Sequence, residues 1–257
     1  MKVIILAGGQ QSTISDEKIG IPKPMVEIGG KPMLWHIMKF FSSYGISDFI
    51  VCGGYKVDII KQYFMDFYIY QSDICVNLKD KTVHILKERT EDWNVTVLDT
   101  GLYSTTAQRI AKGLEYVQDE NVMISYGDVL SDIDIAAFYR NHRASDRLVT
   151  MAVAIPTGRN QILSIDAEGQ LQGMGEMQDD KIAWANASLF VVKPQIQQYL
   201  LDDSELETQL DEKLVPIHQV NTYKHKGFWM PIETRRDYMK AQSMWAQGVA
   251  PWKKWSD

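Results

Sequence analysis

Three short stretches carry the side chains and the bare backbone that phosphate chemistry needs. Asp128 follows the apolar run Val122 to Tyr126 and a glycine, so its carboxylate is expected to project from the end of a buried strand into a crevice. Magnesium suits such a position, because it takes one or two carboxylates with phosphate oxygens and waters, and Glu233 is the candidate second carboxylate. Lys23 stands between Pro22 and Pro24. Each proline fixes its own φ and keeps its predecessor out of the helical region, so the ammonium is held on a stiff path where it would meet a phosphate. Gly8 and Gly9 end an apolar run with no Cβ in the way, so backbone N–H groups can approach an anion or a nucleotide. Each stretch also has a plainer reading: a helix N-cap or turn for Asp128, a solvated surface for Lys23, an ordinary strand-ending turn for the glycines.

The elements that must place these residues follow from hydrophobic period. Val3 to Ala7 is too short for a lone helix and fits a strand buried on both faces. Pro32 opens a helix with Met33, Leu34, Ile37, Met38, Phe40 and Phe41 at helical spacing; His36 on it is a packing or capping residue and Gly45 a C-cap. Asp48 to Cys52 is a second strand, ending at Gly53-Gly54. A helix over Val57 to Phe67, a strand at Val83 to Leu86, a strand at Trp93 to Gly101, a helix over Thr106 to Val117 carrying Arg109, and the strand Val122 to Tyr126 complete the first half. This alternation predicts an α/β protein with a doubly wound, mostly parallel, Rossmann-like sheet, whose ligands bind beyond the carboxyl ends of its strands. Gly8-Gly9, Asp99-Thr100-Gly101 and Gly127-Asp128 all sit at such ends. In the second half, Val149 to Ile155 is β-rich, Ile162 to Gln172 reads as a hairpin around Glu168-Gly169, Ala187 to Val192 is a strand, Pro194 to Leu201 a helix, Phe228 to Pro231 a short aromatic strand or loop, and Arg235 to Trp245 an amphipathic helix. No repeat, low-complexity segment or linker interrupts residues 1–257, so one domain is expected, its second half extending the sheet and covering its open end.

Bulk properties narrow the classes. Apolar residues at 45% and charged residues at 23% are ordinary for a globular chain, and a net charge of −6 supplies no basic surplus for nucleic acid or an anionic membrane. Cys52 and Cys75 fit neither a zinc pattern nor a disulfide framework, and neither a membrane-spanning run nor a signal peptide is present, so a cytoplasmic protein is expected. A nicotinamide-dependent oxidoreductase fails for want of a G-x-G-x-x-G turn and its acidic ribose partner.

The segments LAGG (Leu6 to Gly9), PKPMVEIGGKPMLWHIMK (Pro22 to Lys39), WNVTVLDTG (Trp93 to Gly101), YGD (Tyr126 to Asp128), GFWMPIETRRD (Gly227 to Asp237) and APWKKW (Ala250 to Trp255) span nearly the whole chain. Together they resemble the sugar-1-phosphate nucleotidyltransferases, most closely the glucose-1-phosphate cytidylyltransferases. The resemblance implies a nucleotidyltransferase fold with a small β-rich, sugar-side extension, and a magnesium-dependent reaction in which a sugar 1-phosphate attacks the α-phosphate of a nucleoside triphosphate, CTP by this likeness. No enzyme nucleophile is needed, so catalysis consists of aligning two anions and neutralising charge. By the same resemblance, Leu6, Ala7, Gly8, Gly9, Ser104, Arg109 and Gly127 would bind the nucleotide, Lys23 and Asp128 would be catalytic, Asp128 and Glu233 would hold Mg2+, and Glu176 and Asn186 would contact the sugar. A homo-oligomer is expected too, with Trp245, Trp252 and Trp255 serving either subunit contacts or the core.

Departures from the family pattern cluster at the chemistry. Gln11 and Thr13 stand where a glycine and a triphosphate-binding arginine are expected, Glu176-Met177-Gln178 where Glu-Lys-Pro is expected, Asn186-Ala187-Ser188 in place of Asn-Gly-Gly, and Ile21 in place of a lysine. Losing one charge-assisted contact in such a site costs on the order of 3 kcal/mol. Lys18 is the one nearby cation, without the bidentate grip of a guanidinium. Two expectations follow: an enzyme of this class with lost activity or altered specificity, or a non-catalytic relative that binds a nucleotide or nucleotide sugar in a regulatory or scaffolding role.

Overall fold

Strand β1 (Lys2–Ala7) has two buried faces, and its alternation divides the core. Val3, Ile5 and Ala7 join one apolar cluster, while Ile4 and Leu6 join the other. The computed structural model describes residues 1–9, 20–87, 90–118, 120–155, 162–165, 169–175, 184–200 and 204–256. Within them, β1 lies in a seven-stranded sheet with β2 (Asp48–Gly53), β3 (Asn94–Asp99), β4 (Val122–Tyr126), β5 (Val149–Ala154), β6 (Ala185–Val192) and β7 (Val220–His225), in the order β7-β5-β6-β4-β1-β2-β3. The pairs β1/β2, β1/β4, β2/β3 and β5/β7 are parallel, and only β6 runs antiparallel to its neighbours. The mostly parallel, doubly wound sheet expected from the alternation is therefore present.

Helices cover both faces. Helix α1 (Met33–Ser42) starts directly after Pro32 and buries Met33, Leu34, Ile37, Met38, Phe40 and Phe41 against the first cluster. Helix α2 (Val57–Met65) adds Ile60 to the same cluster. Helix α3 (Thr106–Leu114) packs on the opposite face and opens with a capping box, in which the Thr105 hydroxyl accepts from the Gln108 N–H while the Gln108 side chain accepts from the Thr105 N–H. Helix α4 (Ile135–Ser145) is capped by the Asp134 carboxylate, and helix α5 (Arg235–Ala246) by Thr234 and Asp237.

Several boundaries differ from expectation. The helix expected to reach Phe67 breaks at Asp66 and restarts as Phe67–Gln71. The strand expected near Val83 to Leu86 runs over Thr82–Lys87 and pairs with Asp73–Asn77 in a separate two-stranded ribbon, outside the main sheet. The helix at Pro194 is a 3₁₀ turn over Pro194–Tyr199. The hairpin is present as Ile162–Ile165 with Leu171–Gly175. Trp229–Pro231 is a strand, paired with Val129–Ser131. His36 is a packing residue: its Nε2–H donates to the Ile28 carbonyl at 2.7 Å, leaving Nδ1 to accept from the Trp252 indole at 3.4 Å. Trp245, Trp252 and Trp255 all pack against its ring.

Candidate functional site

The carboxyl ends of β1 and β4 meet at a cleft of about 190 Å³, lined by Leu6, Ala7, Gly8, Gly9, Lys23, Pro24, Thr106, Tyr126, Gly127 and Asp128. Two glycines make this junction possible. The Gly127 N–H donates to the Leu6 carbonyl at 2.9 Å, and a Cβ at 127 would come within 2.8 Å of that same oxygen and 3.0 Å of the Pro24 ring. At Gly8 a Cβ would stand 2.2 Å from the Arg109 guanidinium, whereas at Gly9 it would meet nothing within 4 Å. Bare backbone is thus demanded at Gly8 and Gly127 by what lies behind them.

Lys23 reaches the cleft from a 3₁₀ turn, Lys23–Met25, closed by a hydrogen bond from the Met25 N–H to the Pro22 carbonyl and anchored by buried Pro24 and Met25. Its Nζ lies 2.6 Å from Asp128 Oδ2, with the two side chains 24% and 29% exposed. A cation and a carboxylate set far apart in sequence therefore stand together at the mouth of a cleft floored by glycine.

Glu233 is brought to the same end by a second route. The ladder of Trp229–Pro231 with Val129–Ser131 continues into a hydrogen bond from the Ile232 N–H to the Asp128 carbonyl at 2.8 Å, which starts Glu233 beside Asp128. The Glu233 backbone N–H donates to Asp237 Oδ2 at 3.3 Å, and no described residue pairs with its carboxylate. Among the described residues there is no cluster of three or more metal-ligating side chains. Of the two expected magnesium ligands, Asp128 lines the cleft and Glu233, exposed, does not; a single carboxylate there suits magnesium, which completes its shell with phosphate oxygens and waters.

Arg109 and Ser104, expected at the nucleotide, are not among the residues lining the cleft. Arg109 is only 3% exposed, and its guanidinium donates to Thr100 Oγ1, to the carbonyls of Gly101 at 2.9 Å and Gly53 at 3.3 Å, and to Leu102 O at 3.3 Å. Burial, the main influence, lowers its pKa from the usual arginine value. With no described carboxylate bonded to it, the charge is satisfied by backbone dipoles, and the side chain clamps the ends of β2 and β3 behind Gly8. The Ser104 hydroxyl donates to the Thr100 carbonyl and tightens the same loop.

On the far side of Tyr126, Asn186 is held at both ends of its amide. Its Nδ2–H donates to Glu207 Oε1 at 3.0 Å, and its Oδ1 accepts from the Ser188 N–H at 2.8 Å. The Tyr126 hydroxyl donates to the same Glu207 oxygen at 2.6 Å. Burial first, then the Glu207 charge, raises the Tyr126 pKa well above the ordinary phenolic value, so it remains a donor. Ser188 sits at φ 58°, a left-handed conformation natural to glycine, while the Trp229 indole donates to the Ala187 carbonyl at 3.1 Å. Glu176, Met177, Gln11, Thr13 and Lys18 lie outside the described residues. Thr106 and Tyr126 also line the cleft, and Glu207 bonds to Tyr126 and to Asn186; of these four, the sequence singles out only Asn186 for the site. Thr106 follows a capping-box signature that marks a helix start at a strand end, while nothing local in the sequence marks Glu207.

The family described as Nucleotidyl transferase matches residues 2–247. The chain is 40% identical to the glucose-1-phosphate cytidylyltransferase of Salmonella typhi over 99% of its own length and 100% of that protein. It is 33% identical to the probable glucose-1-phosphate cytidylyltransferase of Bacillus subtilis, again over 99% and 100%. Among solved structures, HddC from Yersinia pseudotuberculosis superposes with a TM-score of 0.74 at 21% identity, covering 95% of this chain and 99% of that one. That likeness concerns the fold.

Proposed function

The chain belongs to the nucleotidyl transferase family, as a cytidylyltransferase-like member of its sugar-1-phosphate enzymes, and we propose that it joins CTP to a sugar 1-phosphate, glucose 1-phosphate first among them. In this reaction an oxygen of the sugar phosphate forms a new bond to the α-phosphorus of CTP. The bond between that phosphorus and the α,β-bridging oxygen breaks, its electron pair leaves with pyrophosphate, and CDP-sugar remains.

The observation that carries this reading is the Lys23–Asp128 pair at 2.6 Å beside the Gly8-Gly9 turn. The glycine backbone admits the triphosphate closely. Lys23 leaves Asp128 for a phosphate, and its ammonium offsets charge on the reacting phosphoryl group. Asp128 and Glu233 would hold magnesium, which supplies electrostatic stabilisation to phosphate oxygens when bound. Tyr126 and Thr106 wall the nucleotide cleft, and Asn186 offers an amide to the sugar. The altered-specificity and non-catalytic alternatives rest on Gln11, Thr13, Met177 and Ala187, of which only Ala187 is described, and the full-length likeness to cytidylyltransferases favours an enzyme. The experiment is a panel of nucleoside triphosphates offered with glucose 1-phosphate and magnesium: pyrophosphate release is expected with CTP above the others, and release with none of them rejects the reading.

Self-association of copies of this chain is part of the proposal. The ribbon of Asp73–Asn77 and Thr82–Lys87 exposes Ile74, Val76, Val83, Ile85 and Leu86, a concentration of apolar side chains on a two-stranded unit that is marginal alone in water.

A further inference from the structure

Two carboxylates outside the expected site reach back to the cleft from one short segment, Glu205 and the helix Leu206–Gln209. Glu205 Oε2 accepts from the Thr106 N–H at 2.9 Å and from its hydroxyl at 2.6 Å, while Thr106 Oγ1 accepts from the Leu206 N–H at 2.9 Å. This fastens the segment to the start of α3, and the Leu206 side chain is buried beneath it. Two residues on, the single oxygen Oε1 of Glu207 takes both the Tyr126 hydroxyl and the Asn186 amide. Tyr126 ends β4 and lines the cleft, whereas Asn186 lies on β6. One carboxylate oxygen therefore ties together two strands of the sheet and the segment laid against them.

The consequence for Asn186 is orientational. An amide has two donor hydrogens and one acceptor oxygen. Here the oxygen is committed to the Ser188 N–H and one hydrogen to Glu207, which fixes which end is nitrogen and leaves the other N–H to offer a sugar hydroxyl. Without Glu207 the amide nitrogen loses its acceptor, and the Ser188 N–H alone is left to orient the group.

We propose that Glu207 is a positioning residue for the sugar phosphate, acting through Asn186, and that the same contact steadies Tyr126 against the nucleotide. The inference rests on the proposed function for the meaning of Asn186, so its test reads binding and not turnover. Glucose 1-phosphate is titrated calorimetrically into the full chain saturated with magnesium and an unreactive α,β-methylene analogue of CTP, using the wild type, Glu207→Leu, Glu207→Gln, Asn186→Ala and the double variant Asn186→Ala/Glu207→Leu. Loss of a charge-assisted acceptor predicts about tenfold weaker glucose 1-phosphate binding in Glu207→Leu, with Glu207→Gln, which keeps an acceptor oxygen, restoring it to within about threefold. The double variant binds no more weakly than Asn186→Ala alone, and affinity for the CTP analogue changes less than affinity for the sugar phosphate. Unchanged sugar-phosphate binding in both Glu207 variants, additive losses in the double variant, or equal losses for both ligands that follow a lowered melting temperature would each overturn the assignment. Wild-type protein that binds the CTP analogue but no glucose 1-phosphate overturns it along with the proposed acceptor, whereas binding of both ligands without pyrophosphate release removes the reaction and leaves this test standing.

Discussion

Replacing Arg109 by methionine separates two roles that the sequence alone runs together. Of the guanidinium's four acceptors, Thr100 Oγ1 and the Gly101 carbonyl at 2.9 Å are close, while the carbonyls of Gly53 and Leu102 at 3.3 Å are long and contribute little. Gly53 O keeps the Thr100 N–H and hydroxyl as donors, so the variant strands chiefly Gly101 O. Two good bonds from a charged donor are worth about 3 kcal/mol, of which about 1 kcal/mol returns because a guanidinium no longer has to be desolvated. A net loss of about 2 kcal/mol lowers the melting temperature of a chain this size by about 4–8 °C. Thermal and urea unfolding measure the stability, and calorimetric titration of CTP measures the nucleotide role. A clamp predicts the full stability loss, with nucleotide affinity falling by no more than the disorder of the Gly8 turn explains. Arg109→Met with stability unchanged to within about 0.5 kcal/mol and CTP binding abolished would refute the reasoning.

Other consequences are equally open to measurement. His36 and His142 are both fully buried, and burial above all holds each ring down to about 4 from 6.5; both rings are neutral in the fold and take up protons first in the unfolded chain, so their stability contribution is complete above pH 6.5 and is lost as pH falls towards 4, by at most roughly 3 kcal/mol each. Urea midpoints that stay level between pH 7 and pH 5 contradict this. Ser188→Gly relieves a left-handed φ of 58° and is expected to raise stability by roughly 1 kcal/mol less the entropy glycine adds to the unfolded chain; a destabilised variant shows that the serine side chain compensates. Val83→Lys together with Ile85→Lys places like charges on the exposed ribbon, and sedimentation should then report a smaller species than the wild type, an unchanged mass excluding the ribbon as the contact.

The parallel half of the sheet was legible because buried parallel strands read as continuous apolar runs, as in Val3 to Ala7 and Val122 to Tyr126. Strand β7 was not, because Asn221, Thr222 and His225 are polar yet buried: Asn221 donates to Asn141 Oδ1 and Thr222 to the Gly169 carbonyl, so the strand carries hydrogen bonds in place of an apolar pattern. In the site, Gly8, Lys23, Gly127 and Asp128 converge as their types implied, since a glycine pair, a proline-flanked lysine and a strand-end aspartate each carry a local signal. Arg109 was legible as a helix residue, but which way a guanidinium turns depends on the carbonyls of a loop eight residues earlier in the chain. Glu207 escaped altogether, because its importance lies in a contact with Tyr126, 81 residues away, and Asn186, 21 residues away. Long-range pairings of this kind have no spacing to betray them.

In the proposed cytidylyltransferase reaction the Lys23–Asp128 pair stands at the reacting phosphates. Initial rates of pyrophosphate release from CTP and glucose 1-phosphate with magnesium, compared between the wild type and Asp128→Asn, test it most directly. Steady release is expected from the wild type, with a loss of at least about a hundredfold in a folded Asp128→Asn variant, because the carboxylate that would hold magnesium against the phosphates is lost. No release by the wild type, or an unchanged rate in the variant, would contradict it.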